Sequence, residues 1–332
     1  MRQPTSAGIP RTVPVLSWLA ALLYRLYIVS EVSGRSRPRR LTRWTSWFLA
    51  RVLHRMVRLG DPLVRMRVGE RALDMKLSHK LPLYYALIPT YDRTLPRIAR
   101  QMRGTRPGLV MIDVGANIGD TAALATEAVP DLKLLCIEGS PHYAPLLRAN
   151  VARLRIDAEC LQQYCADENA ASGSARAEEH DGTGRLVPSA LHSAAVVTAT
   201  LDQIVDAHPV FARPDLLKID TDGYDAKVLR GSKRLLGECQ PVLFFEVAQA
   251  LLREVGDDVA PIFPMLGALG YHRARVYDHE GVARGSFEVS DAALLAEIDR
   301  VSLHGDSGYC DILAWDSSWS AVLEADLIGI RA

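Results

Sequence analysis

Val110-Met-Ile-Asp113-Val-Gly115-Ala-Asn117-Ile-Gly119-Asp120 decides how this chain is read. Leu109–Val114 is a short, unbroken apolar run, as expected of a parallel strand covered on both faces, and it runs out into Asp113 and Gly115. Glycines at the turn let the backbone approach a ligand closely. The N-terminus of the helix predicted over Ile118–Ala128 favours an anionic group such as a carboxylate. The next predicted strand, Leu132–Glu138, ends in a carboxylate placed to accept hydrogen bonds from both hydroxyls of a ribose. The two features together describe an adenosyl ligand lying across the carboxyl ends of the first two strands. A tight turn beside a surface glutamate would explain either feature alone. A dinucleotide dehydrogenase would share the geometry, but its G-x-G-x-x-G fingerprint is not Gly115-Ala-Asn117-Ile-Gly119. An acid two residues before the first glycine suits the ammonium end of a methionine moiety better than a diphosphate.

Strand and helix patterns alternate outward from that turn. Ser140-Pro141 is a good N-cap and first-turn pair for a helix through Arg153, and a third strand is predicted over about Ala158–Ala166. A fourth strand covers Leu216–Asp220, Gly223 opens a helix through Leu236, and Pro241–Val247 is the fifth strand. A helix at about 259–269 and strands at Tyr271–Tyr277 and Cys310–Trp315 complete a doubly wound parallel sheet. The Ala/Gly/Ser/Glu-rich stretch 167–192 reads as a long loop or lid.

Upstream the character changes. Residues 1–67 hold 13 Arg and no Lys against Glu31 and Asp61, a net +11, so the remainder of this formally neutral chain carries −11. Helices are predicted over 13–30 and 41–59, a β-hairpin over Val64–Val68 and Leu73–Leu77, and a further helix over 81–103. Gly104-Thr-Arg-Pro-Gly108 reads as a boundary. The expected domains are therefore a basic amphipathic leader at 1–60, a hairpin and helical extension at 61–104, and the α/β domain at 105–332. Val13–Val29 is marginal as a span of roughly 30 Å of hydrocarbon and contains Arg25. No A-x-A cleavage site follows it. Five cysteines without a CxxC spacing suggest free thiols in a reducing cytoplasm. A cytoplasmic protein is expected, peripheral at the inner face of an anionic membrane through its basic helices. The acidic α/β body speaks against a nucleic-acid partner.

With these residues in view, the chain resembles the FkbM-type S-adenosylmethionine-dependent methyltransferase family. The matching stretches are Ile112–Asp120, Cys136-Ile-Glu-Gly-Ser-Pro141 running to Leu147-Arg-Ala-Asn150, Thr200-Leu-Asp202, Leu217-Lys-Ile-Asp-Thr-Asp-Gly223 running to Val228-Leu-Arg-Gly231, and Pro241-Val-Leu-Phe-Phe-Glu246. The resemblance implies a Rossmann-like class I methyltransferase fold, a mostly parallel doubly wound sheet with a terminal antiparallel strand, here preceded by a helical and β-hairpin extension. It also implies methyl transfer to an oxygen, commonly a hydroxyl of a sugar or polysaccharide or of a natural product. The expected partner is therefore a small-molecule or glycan acceptor. The family pattern has a glutamate where this chain has Asp222.

Asp220 and Asp222 share a face if the strand persists, and Glu246 ends the neighbouring strand. This trio is the candidate catalytic group, able to orient a hydroxyl, act as general base or hold a divalent cation. The candidate S-adenosylmethionine contacts are Asp113, Gly115, Ala116, Asn117, Gly119, Asp120, Glu138 and Ser140, with Asp167 placed to meet an adenine amino group or to stand as a solvated loop residue. Lys218 reads equally as a structural ion-pair partner or a catalytic residue. A cofactor-binding regulator without turnover and a nicotinamide-dependent oxidoreductase are the alternative functions.

Overall fold

The computed structural model describes residues 14–36, 40–168, 171–172, 175–180, 182–188, 196–305 and 307–324. The chain forms two compact units, Met1–Pro89 and Thr90–Ala332.

The first unit begins with α1 (Pro14–Ser36) and α2 (Arg40–Gly60), pinned together where the Ser30 and Ser46 hydroxyls meet at 2.7 Å. The antiparallel pair β1 (Leu63–Val68) and β2 (Arg71–Lys76) follows, and buries Val64, Met66, Val68, Leu73 and Met75 at the period of two that a one-sided ribbon requires. The helix predicted over 81–103 is two helices, α3 (Leu81–Leu87) and α4 (Thr94–Thr105). Pro89 is the reason: it lacks an N–H and pushes Ile88 to an extended conformation, φ −127° and ψ 91°.

In the second unit α4 is followed by β3 (Val110–Val114), α5 (Asp120–Ala128), β4 (Lys133–Ile137), α6 (Ala144–Leu154) and β5 (Ala158–Leu161). The short strands β6 (Tyr164–Cys165) and β7 (Ala171–Ser172) come next, then β8 (Ala175–His180), β9 (Thr183–Pro188) and β10 (Val196–Ala199). The chain continues through α7 (Leu201–Ala207), β11 (Leu216–Ile219), α8 (Asp225–Arg230), α9 (Lys233–Cys239), β12 (Val242–Val247), α10 (Gln249–Glu254) and α11 (Ile262–Ala268). It closes with β13 (Arg273–Tyr277), β14 (Ala283–Glu288), α12 (Ala292–His304), β15 (Cys310–Trp315) and α13 (Ser320–Leu323).

The main sheet has the order β14-β13-β15-β12-β11-β3-β4-β5. β12, β11, β3, β4 and β5 run parallel, and β15 inserts antiparallel between β12 and β13. This is the mostly parallel, doubly wound sheet with an antiparallel strand that the resemblance implied, extended at one edge by the hairpin strand β14. Successive strand residues alternate between two cores. Ile112, Leu135, Leu217, Leu243 and Phe245 face one layer, while Met111, Leu134, Leu216, Val242 and Phe244 face the other. The second layer includes Leu95, Ile98, Ala99 and Met102 of α4. That burial makes α4 part of the second compact unit, which begins at Thr90.

Three local differences from the sequence reading bear on the site. The third strand ends at Leu161, and Tyr164–Cys165 pairs instead with β10. The helix expected to start at Ser140 starts at Ala144, and Ser140 turns its hydroxyl to the backbone N–H of His142 at 3.0 Å. The stretch expected to be a loop contains the β8–β9 hairpin, which Ala, Gly and Glu residues of low strand propensity did not announce.

Candidate active site

The carboxyl ends of β3 and β4 form the first half of the site. Gly115 has φ +84°, and a Cβ there would lie 1.7 Å from the carbonyl oxygen of Asp220. Glycine is therefore required by the approach of β11 as well as by any ligand. Beyond it Asn117 (φ +47°) and Gly119 (φ +89°) turn the chain into α5. Glu138 is the hub of this half. Its Oε2 accepts the backbone N–H of Asn117 at 2.8 Å and its Oε1 that of Ser140 at 2.7 Å. Burial pushes its carboxyl up to about 7, against the pull of those two N–H groups. The β8–β9 hairpin is bolted over the same place: Asn117 Nδ2 donates to Gly182 O at 2.8 Å, and the Ser140 hydroxyl meets Glu179 Oε1 at 2.9 Å.

The carboxyl ends of β11, β12 and β15 form the second half. A cleft of about 650 Å³, counted to its open mouth, is lined by Asp92, Asp220, Glu246 and Asp311, with Tyr91, Tyr309, His279 and Lys218 around them. Glu246 and Asp311 face each other across the paired strands β12 and β15, where their Cα atoms are in register. Burial, then the neighbouring negative charges, holds both carboxyls well above the usual carboxylate range.

Lys218 joins the halves. Its ammonium lies 3.2 Å from Asp113 Oδ1 and 3.1 Å from Asp220 Oδ2, with the Gly115 carbonyl at 3.5 Å. Burial alone would lower its affinity for a proton, but Asp113, Asp220 and Asp120 more than reverse that, so it stays charged. Three buried side-chain oxygens near this turn make no hydrogen bond among the described residues, Asp113 Oδ2, the Tyr164 hydroxyl and the Thr221 hydroxyl, while Asp113 Oδ1 has the Lys218 ammonium. Orphaned polar atoms clustered at a strand-end turn are what a polar ligand would satisfy.

Comparison with known proteins gives the class. The model of the Methyltransferase FkbM domain matches residues 113–273, a span that contains both halves. The chain carries an FkbM methyltransferase domain. Among solved structures, methyltransferase FkbM from Methylobacillus flagellatus is similar at 16% identity and TM-score 0.36, over 63% of this chain and 53% of that one. Precorrin-6y C5,15-methyltransferase from Geobacter metallireducens is similar at 14% identity and TM-score 0.35, over 67% and 88%. An S-adenosylmethionine-dependent methyltransferase from Aquifex aeolicus gives 12% and 0.36, over 68% and 90%. At these values the likeness adds nothing to the strand order described above. No curated protein matches the chain in sequence.

Within the FkbM domain, Asp113, Gly115, Ala116, Asn117, Gly119, Asp120, Glu138 and Ser140 gather around one turn, as the sequence suggested. S-adenosylmethionine fits this set: Glu138 has lone pairs left beyond its two backbone donors, and the orphaned hydroxyl of Tyr164 carries the charge of Glu138 among the causes of its raised pKa. Asp167 departs from expectation. Its Oδ2 accepts from Arg230 Nε and Nη2 at 3.0 and 2.8 Å, and Arg230 also holds Asp257, so this carboxylate stitches β6 to α8. Asp220 and Glu246 share the cleft, but Asp222 is not in its lining. The strand stops at Ile219 and Asp222 has φ +52°, so the alternation that would have put 220 and 222 on one face is broken. Asp222 is pushed up to about 7 by burial, with Asp220 and Asp225 adding to the shift and Arg185 of the hairpin opposing it.

Sequence reasoning missed Asp92, Tyr91, Tyr309 and His279, which come from distant connections with no motif of their own, and Asp311 at the start of β15. It also missed Asp225, which closes the turn after β11 by accepting the N–H groups of Thr221 and Gly223 at 3.1 Å. Among the described residues no group of three or more His, Cys, Asp or Glu is arranged to hold a metal ion.

Proposed function

We propose that this S-adenosylmethionine-dependent methyltransferase acts on oxygen, methylating a hydroxyl of a sugar, a glycan or a polyhydroxylated natural product. The observation that supports the reading is the cleft itself: four carboxyl groups and two tyrosines around one charged lysine, beside the glycine turn. Carboxyl groups and phenols are complementary to a ring bearing several hydroxyls, as both acceptors and donors.

S-adenosylmethionine supplies a methyl group already activated on a sulfonium, so the protein contributes position and a proton acceptor. Asp220 is the candidate base. Its side chain is 42% exposed toward the cleft, and Lys218 holds its Oδ2 at 3.1 Å, which leaves Oδ1 to take the proton of the incoming hydroxyl. Glu246 and Asp311, whose proton affinities burial and the neighbouring negative charges raise, are placed to hydrogen-bond other oxygens of the acceptor. Lys218 keeps Asp113 and Asp220 at fixed positions on the two strands that bring the halves together.

Incubation with methyl-labelled S-adenosylmethionine and separate panels of free sugars, oligosaccharides, phenols and amines tests this reading. Label is expected in an alkali-stable ether of a sugar or polyol hydroxyl. Transfer confined to nitrogen or carbon acceptors would overturn it.

A further inference from the structure

We propose that the first unit docks on an anionic membrane surface, its exposed helix residues sitting among lipid and an arginine-lined groove receiving phosphate headgroups. The argument starts with α1. Val15–Arg35 has the length and mean hydropathy (1.5) of a membrane span, yet only 17% of its most apolar window is buried in the protein. One face is committed to the fold: Ala20, Tyr24 and Ser30 are buried, and the Tyr24 hydroxyl donates to the carbonyl of His79 at 2.8 Å. The opposite face presents Val15, Trp18, Leu22 and Val29 at helical spacing, with Leu19 and Leu26 beside them. α2 adds exposed Trp44, Trp47 and Phe48, and the Arg51 guanidinium lies 4.7 Å over the Trp47 ring.

A helix with one face built into a folded unit, Arg25 in its middle and tryptophan along its outer face is suited to lie in a bilayer interface, not to cross it. Charge selects the surface. Residues 1–67 carry a net +11, all of it arginine. Between α1 and the β1–β2 ribbon lies a groove of about 1210 Å³, counted to its mouth, where Arg25, Arg65, Arg67 and Arg71 meet Trp18 and Leu22. The acid in its lining, Glu70, pairs with Arg67, and Arg65 pairs with Asp74 outside the groove at 2.6 Å. Guanidinium groups bordered by tryptophan and leucine match the two chemistries of an anionic phospholipid, a phosphate above an acyl chain.

Co-sedimentation of the full chain with vesicles tests the proposal, with S-adenosylmethionine titration and circular dichroism as checks that each variant is folded. Vesicles containing phosphatidylglycerol are expected to bind at least about ten-fold more tightly than pure phosphatidylcholine, with the difference lost at high salt. Arg25→Gln and Arg71→Gln are each expected to weaken that binding about five-fold, the equivalent of about 1 kcal/mol per basic residue, and Trp18→Ser to weaken it on the same vesicles. S-adenosylmethionine affinity should not change. Equal binding to both vesicle types, binding that high salt does not reduce, binding only to duplex DNA, or no vesicle binding would each overturn it. Arginine variants that bind like the parent would overturn the groove as the headgroup site.

Discussion

The two halves of the active site use carboxylates in opposite ways. On the β3–β4 side the central acid, Glu138, is anchored by the backbone, each oxygen receiving an N–H within 2.8 Å. On the β11–β12–β15 side Asp220, Glu246 and Asp311 converge on a cleft to which Lys218 contributes the one ammonium among its lining residues. The first arrangement is preorganised and holds a ligand the same way through a reaction. The second is electrostatically loaded, and its protons can move when an acceptor arrives. Under the proposed function, the difference gives binding to one half and proton transfer to the other.

The largest effect expected from this division is on turnover. Asp220→Asn should lower the rate of methyl transfer by roughly 10²- to 10⁴-fold, the range of a lost general base, measured at saturating S-adenosylmethionine. A rate within three-fold of the parent would remove Asp220 from the chemistry and collapse the comparison.

Next is Glu138→Ala, which removes the hub of the binding half. S-adenosylmethionine affinity should fall about 10- to 100-fold, corresponding to about 1.5–3 kcal/mol for charged hydrogen bonds, while the rate at saturation changes little. Titration calorimetry reads the first and single-turnover kinetics the second. An unchanged affinity would mean that Glu138 only ties the glycine turn to Ser140.

pH sharpens the contrast further. Burial raises the Glu138 carboxyl to about 7 in the folded protein, so the native state holds this proton more tightly than the unfolded chain. Its contribution to stability is complete below the ordinary carboxylate range and is lost as pH rises through about 7. Between pH 5 and pH 8 the parent should lose about 1–3 kcal/mol of unfolding free energy relative to Glu138→Gln, which has no proton to lose. Denaturant midpoints at the two pH values check this, and parallel profiles would contradict it.

How far the sequence could be read follows from the same contrast. The binding half is local: Asp113 to Asp120 and Glu138 to Ser140 are two strand ends and their turns, so period and glycine placement suffice to find them. The loaded half is assembled from β11, β12, the start of β15 and the segment before α4, and only Asp220 and Glu246 sit within recognisable patterns. Asp311 follows Cys310 in a strand that was legible, but the antiparallel register that sets it opposite Glu246 was not. Asp222 falls outside the cleft lining because the strand ends at Ile219, and the pairing of Asp167 was not legible because its partner, Arg230, lies on a helix 63 positions away. The packing of α4 was hidden for a related reason: a Gly-Pro-rich turn marks a bend, whereas burial of Ile98 and Met102 shows which core the helix joins.

The smallest expected effect belongs to Asp167. Because its carboxylate is held by a partly exposed arginine, Asp167→Asn should cost at most about 1 kcal/mol of stability and shift S-adenosylmethionine affinity less than two-fold. A ten-fold loss of affinity would return it to the adenine pocket.

The division of labour is tested most directly by calorimetric titration of S-adenosylmethionine into the parent protein and into Asp220→Asn. Dissociation constants within three-fold of each other are expected under the proposal that Asp220 serves the acceptor. A loss of affinity greater than ten-fold in the variant would place Asp220 among the cofactor's own contacts and contradict the account.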